Sequence, residues 1–267
     1  MKRLIVAVLA VALAAAVATA LARPSSPPTK TPGTLVVGLN PPAVGFQVGT
    51  LRGQNVVNPH GFEIDLAKAI ATRLGITTIK WINVPFSGLF RPGAKPFDFA
   101  FEEATITAAR KRAVAFSAPY FNANQGVLIR KGITAPKSLA DLRKLQTCAQ
   151  AVTTGLDYIQ HRLHPVKPPL IYQTTSAAFT AVQIGRCDAL VLDVPIVASQ
   201  KKTKPSAYGP VAGQIITNEK YGAVLEKGSP LKPQLDAAIN ALVKSGTVGK
   251  LQRKWFNLNF SKVPVLR

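Results

Sequence analysis

Acidic residues are scarce in this chain. Its 267 residues include 12 Asp and Glu against 33 Lys and Arg, a formal charge of +21. Such a balance draws a protein toward anionic surroundings: nucleic acid, acidic lipid, an anionic cell envelope or an acidic solute. Nucleic acid is disfavoured because the basic residues are scattered. The densest group, Lys201, Lys202 and Lys204, has no aromatic residue among it. Histidine and cysteine number three and two, too few for a multi-ligand metal centre, so neither metal nor cofactor is expected. His161 and His164 stand three apart on a helical stretch, but no Cys or third His joins them. The chain has no GxSxG, no P-loop and no GxGxxG, and so lacks the commonest hydrolase, phosphate and dinucleotide signatures. Charged residues make up only 17% against 47% apolar, which excludes a disordered chain.

The N-terminus sets the compartment. Met1, Lys2 and Arg3 precede an unbroken apolar run over residues 4–18, followed by small-x-small triplets at 18–20 and 20–22. This is the pattern of a secretory signal peptide over residues 1–22. A retained membrane anchor is the alternative, since residues 4–22 nearly suffice to span a bilayer. No cysteine lies nearby, so the lipoprotein route is absent. An extracytoplasmic location follows, which further disfavours nucleic acid. In an oxidising compartment an even pair, Cys148 and Cys187, suggests a disulfide. The bridge would close a loop of about 40 residues, worth up to about 4 kcal/mol in the chain-entropy model. Two free buried thiols are the alternative.

Residues 23–33 carry four prolines without an apolar period and read as an extended linker. A short buried strand at 35–38 and an irregular stretch over 40–60 follow. In 61–75, Phe62, Leu66, Ile70 and Leu74 recur every four residues and Gly75 offers a stop, the marks of an amphipathic helix. Strands are expected at 79–84 and 97–101. The second half repeats this alternation, with a cap at Ser138 and Asp141, a strand over 147–152, a helix through LDYIQHRL, a helix from Ser176 to Gly185 and a strand at 188–192. Two helical pieces occupy 231–256. Alternating strands and helices indicate α/β with parallel sheets, here as two units plus a C-terminal return.

Several residues carry possible chemistry. Thr107 suits an N-cap, and that places Arg110 in the first helical turn, where the dipole opposes a cation. An Arg there is better explained if its planar fork meets a carboxylate; the alternative is a solvated Arg beside Lys111 and Arg112. Thr153, Thr154 and Gly155 lie where a strand becomes a helix, an anion-binding corner or a plain cap. Asp193 closes an apolar run, and a buried carboxylate needs a partner: a bound ammonium or a protein cation. Glu102 and Glu103 are adjacent acids at another strand end, able to accept a cation, to act in acid–base chemistry, or to be surface charge. Phe86 and Phe46 are candidates for stacking on a ligand or for core.

The chain resembles the extracellular solute-binding proteins of ABC importers, in particular the polar amino-acid-binding family. The stretches that carry this are Leu35-Val36-Val37-Gly38, GFEIDLAKAIATRLG at 61–75, FDFAFEEATITAARKRAVAFSAPYF at 97–121 and GRCDALVLD at 185–193. The resemblance implies a type II periplasmic-binding-protein fold, two α/β lobes joined by two hinge strands. Lobe one is then 34–125 with 220–260, and lobe two 126–219. It implies that Arg110 clamps a ligand α-carboxylate, assisted by Thr105 and, from lobe two, by Thr153 and Thr154. Asp193 takes the α-ammonium, Phe86 is an aromatic wall, and Asn40 stands where some members carry an acid. Glu102 and Glu103 replace the small residues usual at their positions. The implied partners are an amino acid and a membrane permease, without enzymatic activity. The rival is an exported prephenate or arogenate dehydratase on the same scaffold. The cysteine pair also resembles a bridge that ties adjacent strands of lobe two in some glutamate binders.

Overall fold

The computed structural model describes residues 26–267. The proposed signal segment over 1–22 and the first residues of the linker lie outside the described part. Among the described residues no helix is long and apolar enough to cross a membrane.

Two twisted sheets organise the chain. The first contains β1 (Thr34–Leu39), β2 (Val48–Arg52), β3 (Asn55–His60), β4 (Thr78–Asn83), β5 (Phe99–Ala100), β6 (Ala115–Phe116) and β12 (Val224–Leu225), in the order β2-β3-β4-β1-β5-β12-β6. The second contains β7 (Phe121–Ile129), β8 (Thr147–Gln150), β9 (Leu170–Tyr172), β10 (Ala189–Asp193) and β11 (Val211–Tyr221), in the order β11-β7-β10-β8-β9. β1 runs parallel to β4 and β5, and β8 parallel to β9 and β10. The expected two-lobed α/β architecture is therefore present. β7 and β11 lie side by side, pairing Phe121 with Tyr221 and Ala123 with Glu219. These are the hinge strands, and chain passes between the lobes along them.

Helix α1 (Phe62–Arg73) buries Phe62, Ile64, Leu66, Ala67 and Ile70 against the first sheet. It stops at Leu74 because Gly75 takes a φ of 70°, the left-handed conformation that glycine adopts without strain. α8 (Lys232–Lys244) and α9 (Thr247–Trp255) return to the same lobe. In the second lobe, Cys148 and Cys187 are disulfide-bonded. The bridge joins β8 to the residue pair just before β10, and β8 and β10 are neighbours.

Two local expectations are corrected and one open alternative is resolved. Residues 40–60 are not irregular throughout: β2 and β3 form a hairpin there. Its strands expose Leu51 and carry Pro59, so no clean apolar alternation marks them. The helix expected from Ser176 begins earlier, as α6 (Thr175–Gln183), because the Thr174 hydroxyl accepts from the Ala177 N–H at 3.1 Å. Phe46 is fully buried among Phe62, Phe121, Tyr221 and Phe256, and so belongs to the core.

The chain end crosses the molecule. Beyond α9, which packs in lobe one, the last residues reach lobe two. The Gln214 N–H donates to the Pro264 carbonyl at 2.7 Å, the Leu266 N–H to the Gln214 carbonyl at 2.9 Å, and the Leu139 N–H to the Arg267 carbonyl at 3.0 Å. Leu266 is buried in the lobe-two core.

Candidate functional site

The site lies where the carboxyl ends of β5, β8 and β10 face one another across the lobes, the usual place for ligands in open α/β sheets. Arg110 sits in the short helix α3 (Ala108–Lys111), capped by Thr107, whose hydroxyl accepts from the Arg110 N–H at 3.1 Å. Its guanidinium bridges the two lobes. Nη1 donates to the Thr105 carbonyl at 2.7 Å and Nη2 to the Val152 carbonyl at 2.9 Å. The cation of this half-buried residue rests 4.0 Å above the Phe90 ring and 5.6 Å from the Phe86 ring centre, an arrangement worth about 0.5–1 kcal/mol at a partly exposed site. Burial lowers its pKa to about 10, against the pull of Asp193 and Glu219; it stays charged at neutral pH. The solvated alternative for Arg110 does not hold.

Asp193 ends β10 and precedes α7 (Val194–Thr203), whose second residue is Pro195. It is buried and accepts from the Gln125 side-chain amide. Burial raises its pKa to about 7, and the neighbouring Glu219 adds to the rise. Among the described residues no Lys or Arg forms a salt bridge with it.

The two threonines divide their work. Thr153 caps α5 (Thr154–Tyr158): its hydroxyl accepts from the Leu156 N–H at 3.2 Å and donates to the Gln150 carbonyl at 2.7 Å. Thr154 donates instead to Glu219 at 2.7 Å. Thr105 makes the same choice from the other lobe, donating to the same Glu219 oxygen at 2.8 Å. Gly155 is required here for room. A Cβ on it would stand 2.7 Å from the Val191 carbonyl.

On the lobe-one side, Glu102 follows β5. It is buried, and neither carboxylate oxygen has a hydrogen-bond partner. Glu103 adopts a φ of 47° and accepts from the Gln47 amide at 3.0 Å. Its N–H donates to Glu63 at 3.0 Å, and Glu63 also accepts from Gln47 and from the Tyr120 hydroxyl. Burial pushes both Glu102 and Glu103 well above the usual carboxylate range, and the charge on Glu63 pushes them further. The surface-charge alternative for these acids fails.

Asn40, Phe86, Glu103, Thr153 and Asp193 border one cavity together with Glu102. Its volume is 40 Å³, room for a few water molecules. Thr105 and Thr154 face a different opening beside Glu219. Arg110 bridges the lobes alongside rather than bordering the cavity. Sequence reasoning missed Glu219, Gln125, Phe90, Glu63 and Gln47. The rarity of acids was a usable signal for Glu219 and Glu63. Among the described residues no cluster of His, Cys, Asp and Glu suits a metal ion.

Comparison with known proteins gives the same direction. The family described as bacterial extracellular solute-binding proteins, family 3, matches residues 35–258. The ABC transporter arginine-binding protein 1 of Escherichia coli strain K12 is 31% identical over 73% of this chain and 81% of its own. Among solved structures, the arginine-, lysine-, histidine-binding protein ArtJ of Geobacillus stearothermophilus superposes with a TM-score of 0.73 at 26% identity, covering 85% of this chain and 96% of that one. The ancestral amino acid-binding protein AncCDT-1, a precursor of cyclohexadienyl dehydratase, superposes with a TM-score of 0.72 at 32% identity, covering 84% and 95%.

Proposed function

The chain belongs to the bacterial extracellular solute-binding proteins of family 3, and from that premise we propose that it captures an amino acid between its lobes and delivers it to the permease of an ABC importer. The observation that carries this reading is the Arg110 guanidinium, which spans from Thr105 in one lobe to Val152 in the other. In the closed cleft it holds two backbone carbonyls. When the hinge strands let the lobes part, the Val152 contact is lost and the fork is available to a carboxylate, which it binds in bidentate fashion. Asp193, buried without a cationic partner, then receives the α-ammonium. Thr105, Thr153 and Thr154 complete the carboxylate end, and Phe86 and Asn40 flank the side chain. Closure around a ligand replaces the interlobe Val152 contact with ligand contacts, so the ligand biases an existing hinge equilibrium. The reading has no chemical step. The +21 charge supplies attraction to an anionic envelope, outside the cleft.

The test is a thermal-shift screen of the twenty amino acids on the exported chain. At least one should raise Tm in a concentration-dependent way, as ligand binding to the folded state requires. No shift with any of them would remove the amino-acid reading. A second reading, a dehydratase, draws on Glu102 and Glu103, whose raised pKa values suit a proton donor. Incubation with prephenate or arogenate separates the two: product formation favours the enzyme, and a Tm rise without turnover favours the binder.

A further inference from the structure

We propose that Glu102 is the side-chain subsite of the cleft and takes a second cationic group of the ligand, a guanidinium or an ammonium, so that the ligand is a diamino or guanidino acid. This rests on the amino-acid reading above, because it assigns the first ammonium to Asp193.

The geometry points to Glu102 by elimination. Five acids lie in or directly behind the cleft, Glu63, Glu102, Glu103, Asp193 and Glu219, in a chain with only 12. Four of them have donors from the protein. Glu63 has Gln47, Tyr120 and the Glu103 N–H. Glu103 has Gln47, Asp193 has Gln125, and Glu219 has Thr105, Thr154 and Gln125. Among the described residues Glu102 has none on either oxygen, although it is only 2% exposed. A buried carboxyl without a donor is costly, and the cost is relieved when a donor arrives with the ligand. Glu102 borders the same cavity as Asp193, so one ligand can touch both.

Sign matters as much as the want of a donor. The ionisable groups around Glu102 are Glu63 from α1, Glu103 beside it in the same loop, Tyr120 just before β7, and Asp193 from β10 across the cleft. Among the described residues no Lys, Arg or His borders the cavity. Arg110, the cation alongside it, is committed to backbone carbonyls and to the ligand carboxylate. An acidic side chain entering this space meets three carboxyls and no cation, with only the neutral side chains of Asn40, Gln150, Thr153 and Thr175 to donate to it. A cationic one neutralises them at contact distance, where surrounding water does not screen. Burial and Glu63 hold the Glu102 carboxyl protonated well above the ordinary carboxylate range. A cation placed against it favours the ionised form, so its arrival expels a proton.

The experiment is calorimetry of wild type and Glu102→Gln with arginine, glutamine and glutamate, run in two buffers of different ionisation enthalpy. Wild type should bind arginine at least tenfold more tightly than glutamine and release protons on doing so. In E102Q the arginine-over-glutamine ratio should fall tenfold or more, and the proton release on arginine binding should shrink. Wild type that prefers glutamine or glutamate overturns the subsite, and this measurement needs no variant. An E102Q protein that keeps both the wild-type ratio and the wild-type proton release overturns it as well. Failure of wild type to bind any of the three, or any of the other amino acids, would instead defeat the amino-acid reading on which the subsite rests.

Discussion

The carboxyls on the two sides of the cleft face the same difficulty and resolve it differently. At the hinge, Glu219 is surrounded by donors drawn from three places: Thr105 from lobe one, Thr154 from lobe two and Gln125 from the neighbouring strand. On the lobe-one side, Glu102 is buried and has no donor at all among the described residues. The hinge acid is knitted into the protein and helps hold the lobes in register. The unpartnered acid makes no hydrogen bond in the ligand-free fold, and under the subsite proposal its partner arrives with the ligand. Asp193 stands between these extremes, with one amide donor and a pKa raised to about 7.

The most severe way to break this contrast is Arg110→Ala, which removes the cation that faces Asp193 and Glu219. Amino-acid affinity should fall by roughly 2–5 kcal/mol, about thirtyfold to several-thousandfold. Circular dichroism should show the fold retained; an affinity within threefold of wild type would take Arg110 out of the site. Asp193→Asn sharpens the contrast next. It keeps an acceptor for Gln125 but loses the charge for an ammonium, and affinity should drop by about 1.5–3 kcal/mol. The smallest effect is on the ligand-free protein. The Asp193 carboxyl is raised to about 7 by burial, against about 3.9 for an unfolded Asp. The folded state therefore holds more protons between those values. The stabilisation is complete below about pH 4 and is lost as pH rises through about 7. Glu102 and Glu103 act in the same direction. Asp65 and Asp188, whose pKa values are lowered by their hydrogen-bond and charge partners, act oppositely only toward strong acid. Tm of the ligand-free protein should thus be higher at pH 5 than at pH 8, and the difference should narrow in Asp193→Asn. A Tm that rises from pH 5 to pH 8 would contradict the burial of these acids.

Legibility in the sequence followed the range of the interactions. α1 was legible because its apolar spacing and its glycine stop are local. The cysteine pair was legible as a bridge from compartment and parity. The Thr107 cap and the position of Arg110 behind it also follow from neighbouring residues. The β2–β3 hairpin was not legible, since its strands are half exposed and interrupted by Pro59. Glu219 was hidden for a different reason: its partners Thr154 and Thr105 lie 65 and 114 residues away, and nothing in the TNEKY run around it distinguishes it from a solvated strand. Asp193 and Glu102 were visible as candidates because acids are rare, but the lack of any donor for Glu102 is a property of the folded cleft alone.

The crossing of the chain end alters how the molecule can be instrumented. By order along the chain, Arg267 follows the helices of lobe one, yet Pro264, Leu266 and Arg267 are stitched to Gln214 and Leu139 of lobe two. A fluorophore or surface tether placed at Arg267 therefore rides with lobe two. Paired with a second dye on lobe two it would read a constant distance, and paired with one on the exposed face of α1 it would report every opening and closing of the cleft.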